Sequence, residues 1–281
     1  MNPKLCQSGL TVACQTKFTA VLAACLLVSG CFGGAEQRLQ RPISAASPLT
    51  APGAAAVAVR VQHGTASSPT GCTLHYRLYS TASARPGDLV VLGHGFLRSQ
   101  ARMAGLARAL AVAGVSTVTL DFCTDPLWTG RHIRNGLDMM HLAAARGARR
   151  VVYVGFSAGG LAALVAGRND PRAVGVVALD LVDAEDLGVR MAAGLKHPLI
   201  GLVGGGSACN AWNNGLAVYA AGREATVERF PGADHCDFES NTDWLCPLVC
   251  ARGAPASWAV RRAILSAAVT AVTGLLSNRD G

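Results

Sequence analysis

The run Val151-Val152-Tyr153-Val154 passes directly into Gly155-Phe156-Ser157-Ala158-Gly159, and an apolar stretch from about Gly159 to Ala166 follows. The first run is short, β-branched and uninterrupted, as expected of a strand buried on both faces; the last reads as a helix. A strand that becomes a helix within a few residues needs a sharp turn, and glycines at 155 and 159 leave room for one. The apex of that turn is Ser157, whose hydroxyl becomes a useful nucleophile only when it is exposed and served by a base. The plainer alternative is a Gly-Ser turn in which Ser157 bonds to its own backbone and merely caps the helix.

The rest of the chain repeats the strand-then-helix pattern. Alternation in Ala56 to Val61 and in Thr73 to Tyr79 predicts two antiparallel strands around the turn-rich segment Gly64 to Gly71. Leu89 to Leu92 predicts a buried strand ending in Gly93-His94-Gly95-Phe96. Ser99 can then cap a helix carrying Met103, Leu106, Ala107 and Leu110, which Gly114 stops. Further strands are expected at Val115 to Leu120, Val174 to Leu179, Leu199 to Val203 and Ala225 to Phe230, with helices near Ile133 to Ala145 and Ala256 to Leu276. This order calls for an α/β fold, a mostly parallel central sheet with helices on both faces, in which ligands sit beyond the carboxyl ends of the strands.

At those ends stand the partners that Ser157 requires. The base is expected late in the chain, and Pro231-Gly232-Ala233-Asp234-His235-Cys236 follows the last strand, which makes His235 the candidate. His63, His75, His132, His141 and His197 fall on strands, helices or strand approaches and read as surface or core residues. A carboxylate must hold the imidazole, and its usual place after the Leu199 to Val203 strand reads Gly204-Gly205-Gly206-Ser207, with no acid. The preceding strand ends Ala178-Leu179-Asp180-Leu181-Val182-Asp183; Asp180 directly follows the apolar run and is preferred, with Asp183 second, although either can instead cap the next helix. Backbone donors for an oxyanion are expected at Ala158 and Phe96, while His94 reads as a loop-shaping residue. Phe96, Trp128 and Trp212 are candidate substrate walls, with core packing as the competing fate.

With these residues in place, the region from Ala56 to Leu276 resembles the α/β-hydrolase superfamily. Within it the chain is similar to chlorophyllase-like and polyester-hydrolase-like, cutinase-type bacterial serine esterases. The likeness is carried by Gly93-His94-Gly95-Phe96, Gly155-Phe156-Ser157-Ala158-Gly159-Gly160, Leu179-Asp180-Leu181-Val182-Asp183 and Ala233-Asp234-His235-Cys236-Asp237-Phe238-Glu239. In chlorophyllase-like proteins an Asp-Pro-Val at a strand end supplies the acid, and Asp180-Leu181-Val182 is similar, with leucine in place of proline. The resemblance implies hydrolysis of carboxylic esters, small or polymeric, through an acyl-enzyme at Ser157, with no metal or organic cofactor. Acyl transfer or amide cleavage by the same residues, and an anchored non-catalytic binding module, are the competing readings. The segment Ser207-Ala208-Cys209-Asn210-Ala211 also looks like that group, and by this likeness Cys209 is expected to bridge Cys236.

Residues 1–30 read as an export signal: Lys4 and Lys17 precede an apolar run from Phe18 to Val28, which is too short to span a bilayer. Leu27-Val28-Ser29-Gly30-Cys31 resembles the bacterial lipobox, which implies diacylation of Cys31 and a periplasmic or cell-envelope domain tethered to a membrane. Residues 32–54 read as a flexible linker and 55–278 as the hydrolase domain. Beyond Cys31 the cysteines are Cys72, Cys123, Cys209, Cys236, Cys246 and Cys250; an even set favours disulfides in an oxidising compartment, and Cys246 and Cys250 invite a local loop. Zinc is disfavoured because no paired C-x-x-C units occur. The formal charge of +8, and +6 without Lys4 and Lys17, is spread without a basic stripe interleaved with aromatics, which argues against nucleic acid as a partner.

Overall fold

A computed structural model of the chain describes residues 57–123, 131–250 and 256–278. The expected signal segment, Cys31, the linker and Trp128 lie outside the described residues. Eight strands form one sheet: β1 (Arg60–Ser67), β2 (Thr73–Ser80), β3 (Asp88–Gly93), β4 (Thr117–Leu120), β5 (Arg150–Phe156), β6 (Ala173–Leu179), β7 (Leu199–Val203) and β8 (Ala225–Arg229). Their spatial order is β1-β2-β4-β3-β5-β6-β7-β8. β2 pairs antiparallel with β1 and β4, and all other neighbours are parallel. The helices are α1 (Ala104–Val112), α2 (His132–Ala145), α3 (Ala158–Asn169), α4 (Leu187–Ala193), α5 (Leu216–Ala221), α6 (Leu245–Cys250) and α7 (Trp258–Ser277).

Strand periodicity divides the core into two layers. Leu89, Val91, Val151 and Tyr153 pack on one face with Met139, Leu142 and Ala163 of α2 and α3. The alternate residues Val90, Leu92, Val152 and Val154 pack on the other with Leu106 and Leu110 of α1 and with Ile264, Ala268, Val272 and Leu275 of α7. Each such Val, Leu, Ile or Met side chain contributes about 1.5–3 kcal/mol of burial free energy, and β3 and β5 are buried along their length, past the first residue, on both faces.

One expected boundary is corrected. β1 runs from Arg60 to Ser67, through the segment read as turn-rich, and the turn follows at 68–72. Most of the strand is exposed, so no apolar stripe fixes its register in the sequence. Gly64 lies within it because a Cβ there would overlap the Tyr76 ring of β2; the glycine marks a close approach and not a turn.

The site is positioned by connectivity. β3 leads through α1 to β4 on one side, and β4 returns through α2 to β5 on the other side of β3. The chain therefore diverges between β3 and β5, and beyond their carboxyl ends, where open sheets of this kind place their ligands, stand Gly93-His94-Gly95-Phe96 and Ser157.

Candidate active site

Ser157 sits between β5 and α3 with φ 55° and ψ −123°, a conformation that costs a residue with a Cβ about 1–3 kcal/mol. The surrounding glycines make the turn sterically possible. A Cβ on Gly155 would overlap the Gly159 carbonyl, and one on Gly159 would collide with the backbone of Gly93 and His94. Ser157 bonds no helix N–H through its side chain, which sets aside the capping alternative.

His235 opens a short 3-10 turn, His235–Phe238, on the loop after β8. Its Nε2 lies 3.0 Å from Ser157 Oγ and its Nδ1 lies 2.6 Å from Asp180 Oδ2. A carboxylate can only accept, so Nδ1 donates to Asp180 and the lone pair of Nε2 faces the serine hydroxyl. All three residues are buried, Ser157 at 7%, His235 at 5% and Asp180 at 1% exposure, which strengthens each polar contact. The Phe156 ring packs against the imidazole at 4.7 Å between centroids.

Of the two candidate acids, Asp180 meets the histidine and Asp183 does not. Asp183 accepts from the backbone N–H groups of Ala184, Gly188 and Val189 at 2.8, 2.6 and 3.4 Å, and so satisfies the start of α4. Asp180 accepts instead from the loop after β7: Gly204 N–H at 2.9 Å on Oδ1, and the Asn210 amide at 3.1 Å on Oδ2. Sequence reasoning missed Asn210. Its signal was the acid-free stretch itself, a loop rich in donors where a carboxylate was expected.

Gly95 lies against Ser157, where a Cβ on Gly95 would stand 3.3 Å from Ser157 Cβ. Among the described residues, neither Phe96 N–H nor Ala158 N–H donates to a protein acceptor. His94 fixes this loop. Its Nε2 accepts Phe122 N–H at 3.1 Å, so Nδ1 carries the proton and donates to Gly95 C=O at 2.7 Å. That carbonyl and Phe96 N–H are opposite ends of one peptide plane, and holding the first aims the second. Burial pushes the His94 pKa below the ordinary histidine range and keeps the ring neutral, as this tautomer requires. Arg98 ties the same loop to the histidine loop, donating to Glu239 at 2.6 and 2.8 Å and to Asp243 at 2.9 Å.

Phe96 is 43% and Trp212 74% exposed, so neither belongs to the core. Among the described residues there are three disulfides, Cys72–Cys123, Cys209–Cys250 and Cys236–Cys246, the last two with Cα separations of 5.5 and 5.8 Å. Both expected pairings are thereby corrected, the Cys209–Cys236 bridge and the local Cys246–Cys250 loop. Cβ atoms one turn apart on a helix point the same way and do not converge, so the two cysteines of α6 each meet a separate loop. The three cystines belong to an oxidising environment. The clustered groups Cys236, Cys246, Cys250 and Cys72, Cys123, Asp138 have their sulfurs committed to these bridges.

No family model matches the sequence, and no curated protein matches it. In structure the chain is similar to a protein assigned as a dienelactone hydrolase from Klebsiella pneumoniae subsp. pneumoniae MGH 78578, at 17% identity and TM-score 0.58, covering 77% of this chain and 99% of that one. The chain has the α/β-hydrolase fold. A cold-adapted esterase from an Arctic intertidal metagenomic library, bound to polyethylene glycol, aligns at 18% identity and TM-score 0.53 over 68% of this chain and 89% of its own. An acetyl xylan esterase from Paenibacillus sp. R4 aligns at 14% and 0.52 over 62% and 78%. At these identities the α/β-hydrolase likeness is one of architecture, and the chemistry of this chain has to be argued from its own side chains.

Proposed function

We propose that the protein is a serine hydrolase that cleaves carboxylic esters through an acyl-enzyme at Ser157, with His235 as base and Asp180 as orienting acid. The observation that carries this reading is the continuous chain from Asp180 Oδ2 to His235 Nδ1 at 2.6 Å and from His235 Nε2 to Ser157 Oγ at 3.0 Å. Esterase descriptions among proteins of the same fold support the ester-cleaving class.

Ser157 Oγ attacks the ester carbonyl carbon while its proton passes to His235 Nε2. The carbonyl electron pair moves onto oxygen, and the unengaged N–H groups of Phe96 and Ala158 receive that charge. Asp180 stabilises the imidazolium. The tetrahedral intermediate collapses, the C–O bond to the alcohol breaks, and Nε2–H protonates the leaving oxygen. Water, deprotonated by His235, then attacks the acyl-enzyme; the second collapse releases the acid and restores the serine. Exposed Phe96 and Trp212 suit an accessible or bulky ester, small or polymeric, at an open cleft.

We also propose that the domain is exported to the periplasm or cell envelope and tethered to a membrane by lipid on Cys31. Its support is the lipobox-like Leu27-Val28-Ser29-Gly30-Cys31 together with the three cystines. The activity is tested by rapid-mixing hydrolysis of a p-nitrophenyl ester: a burst of nitrophenol stoichiometric with enzyme, lost in Ser157→Ala, is expected. Absence of turnover by folded protein across short and long acyl chains would remove the assignment.

A further inference from the structure

The stretch after β7 that lacks an acid has another use. Gly204 N–H and the Asn210 amide each donate to one oxygen of Asp180. Asn210 is fully buried, and its remaining capacity is spent within the same loop: Nδ2 also donates to Gly205 C=O at 2.9 Å, and Oδ1 accepts from Ser207 N–H at 2.7 Å and Asn213 N–H at 3.2 Å. These partners fix the orientation of the amide. Exchanging its O and N would set an oxygen against two acceptors and an NH2 against two donors. The amide therefore points a donor at Asp180 Oδ2, the oxygen that also accepts His235 Nδ1–H.

We infer that Asn210 is a positioning residue, acting through Asp180: its amide holds the carboxylate in the plane of the imidazole and takes part of the electron density of the oxygen that His235 uses. The inference rests on the triad reading above. Two donors on two different oxygens, from one loop, stop the carboxylate from rotating about its own bond. A shared Oδ2 is also a weaker acceptor than an unshared one, so Asn210 limits how strongly Asp180 stabilises the imidazolium. The loop is itself pinned, since Cys209 is bridged to Cys250 at the end of α6.

Other ionisable groups on the surrounding elements leave this interaction distinct. Tyr219 of α5 is kept neutral, because burial and then the Asp180 charge push its pKa up. Asp237 is paired with Arg261 of α7 at 2.7 Å, and Glu239 with Arg98 at 2.6 Å. His94 is held neutral by burial.

Asn210→Ala withdraws the donor to Asp180 and sets no second carboxyl beside it. In the folded protein kcat should fall about 10- to 100-fold with KM within about twofold, as expected for misplacement of the base. The acid limb of kcat/KM should move up by about one pH unit, because the imidazolium is better stabilised. The low-field proton NMR resonance of His235 Nδ1–H, absent in His235→Ala, should shift as well. A variant of unchanged melting temperature with the parent kcat, acid limb and resonance overturns the inference. Should Asn210→Ala fail to fold, Asn210→Ser, whose shorter side chain restores a polar partner for the Ser207 N–H, withdraws the same donor and is read in the same three ways. If the parent protein turns over no ester, the triad reading fails, and the resonance alone still decides whether Asn210 acts on the Asp180–His235 contact.

Discussion

Ser157, Asp180 and the three residues Ala211, Trp212 and Asn213 all adopt positive φ, and these positions cluster at the strand ends where the site lies. Strain of this kind persists only where neighbouring contacts over-determine it. For Asp180 those contacts are the Gly204 and Asn210 donors and His235. Removing its charge should therefore abolish activity without unfolding the domain: Asp180→Asn is expected to lower kcat about 10⁴-fold. Asp183→Ala should leave kcat unchanged and lower the melting temperature, losing about 1 kcal/mol at the start of α4. Steady-state kinetics and calorimetry on the two variants separate these roles. His94 yields a pH prediction. Its native pKa lies below the unfolded value, so on acidification the unfolded chain takes up the proton first and unfolding is favoured; stability rises with pH through this window and levels off above it. The melting temperature should drop as pH falls below about 6.5, and His94→Gln should flatten that slope. That Ser157, His235 and Asp180 come together was legible in the sequence, because chain order and strand ends restrict the candidates for each place to a few positions. Asn210 was not, since nothing in a lone asparagine reveals that its amide meets a carboxylate 30 residues earlier.

The parallel strands, short ones included, and the long helices were legible, and the short helices were not. The central strands and α7 have enough apolar repeats to fix both type and extent, whereas α4, α5 and α6 have six or seven residues each and no periodicity to read. Yet α6 carries much of the architecture of the site. Its cysteines join the loop holding Asn210, through Cys209, to the loop holding His235, through Cys236. Pairing was illegible in spacing because it depends on where a helix of six residues lies in space. Each bridge is expected to contribute about 2–4 kcal/mol. The variant Cys209→Ser/Cys250→Ser should unfold at lower denaturant and lose activity before the sheet melts, as followed by parallel circular dichroism and ester hydrolysis. Coincident loss of both signals, at the parent midpoint, would deny α6 this role.

At the scale of the described domain, a mostly parallel sheet with the candidate site beyond β3 and β5, together with three cystines, suits an oxidising compartment. The two-layer core follows from strand runs such as Val151 to Val154, whose alternate residues are apolar on both sides. The proposed attachment to a membrane is a separate matter and rests on the lipobox-like segment ending at Cys31. The full chain expressed in a bacterial host should incorporate a labelled fatty acid and partition with membranes, and Cys31→Ala should do neither.

All of this converges on one nucleophile. Folded protein treated with a fluorophosphonate, followed by intact mass measurement and peptide mapping, should gain a single phosphonyl adduct on Ser157. The adduct should be absent in Ser157→Ala and slowed in His235→Ala. A folded, disulfide-intact protein that stays unmodified at Ser157, or is modified at another serine, would contradict the assignment.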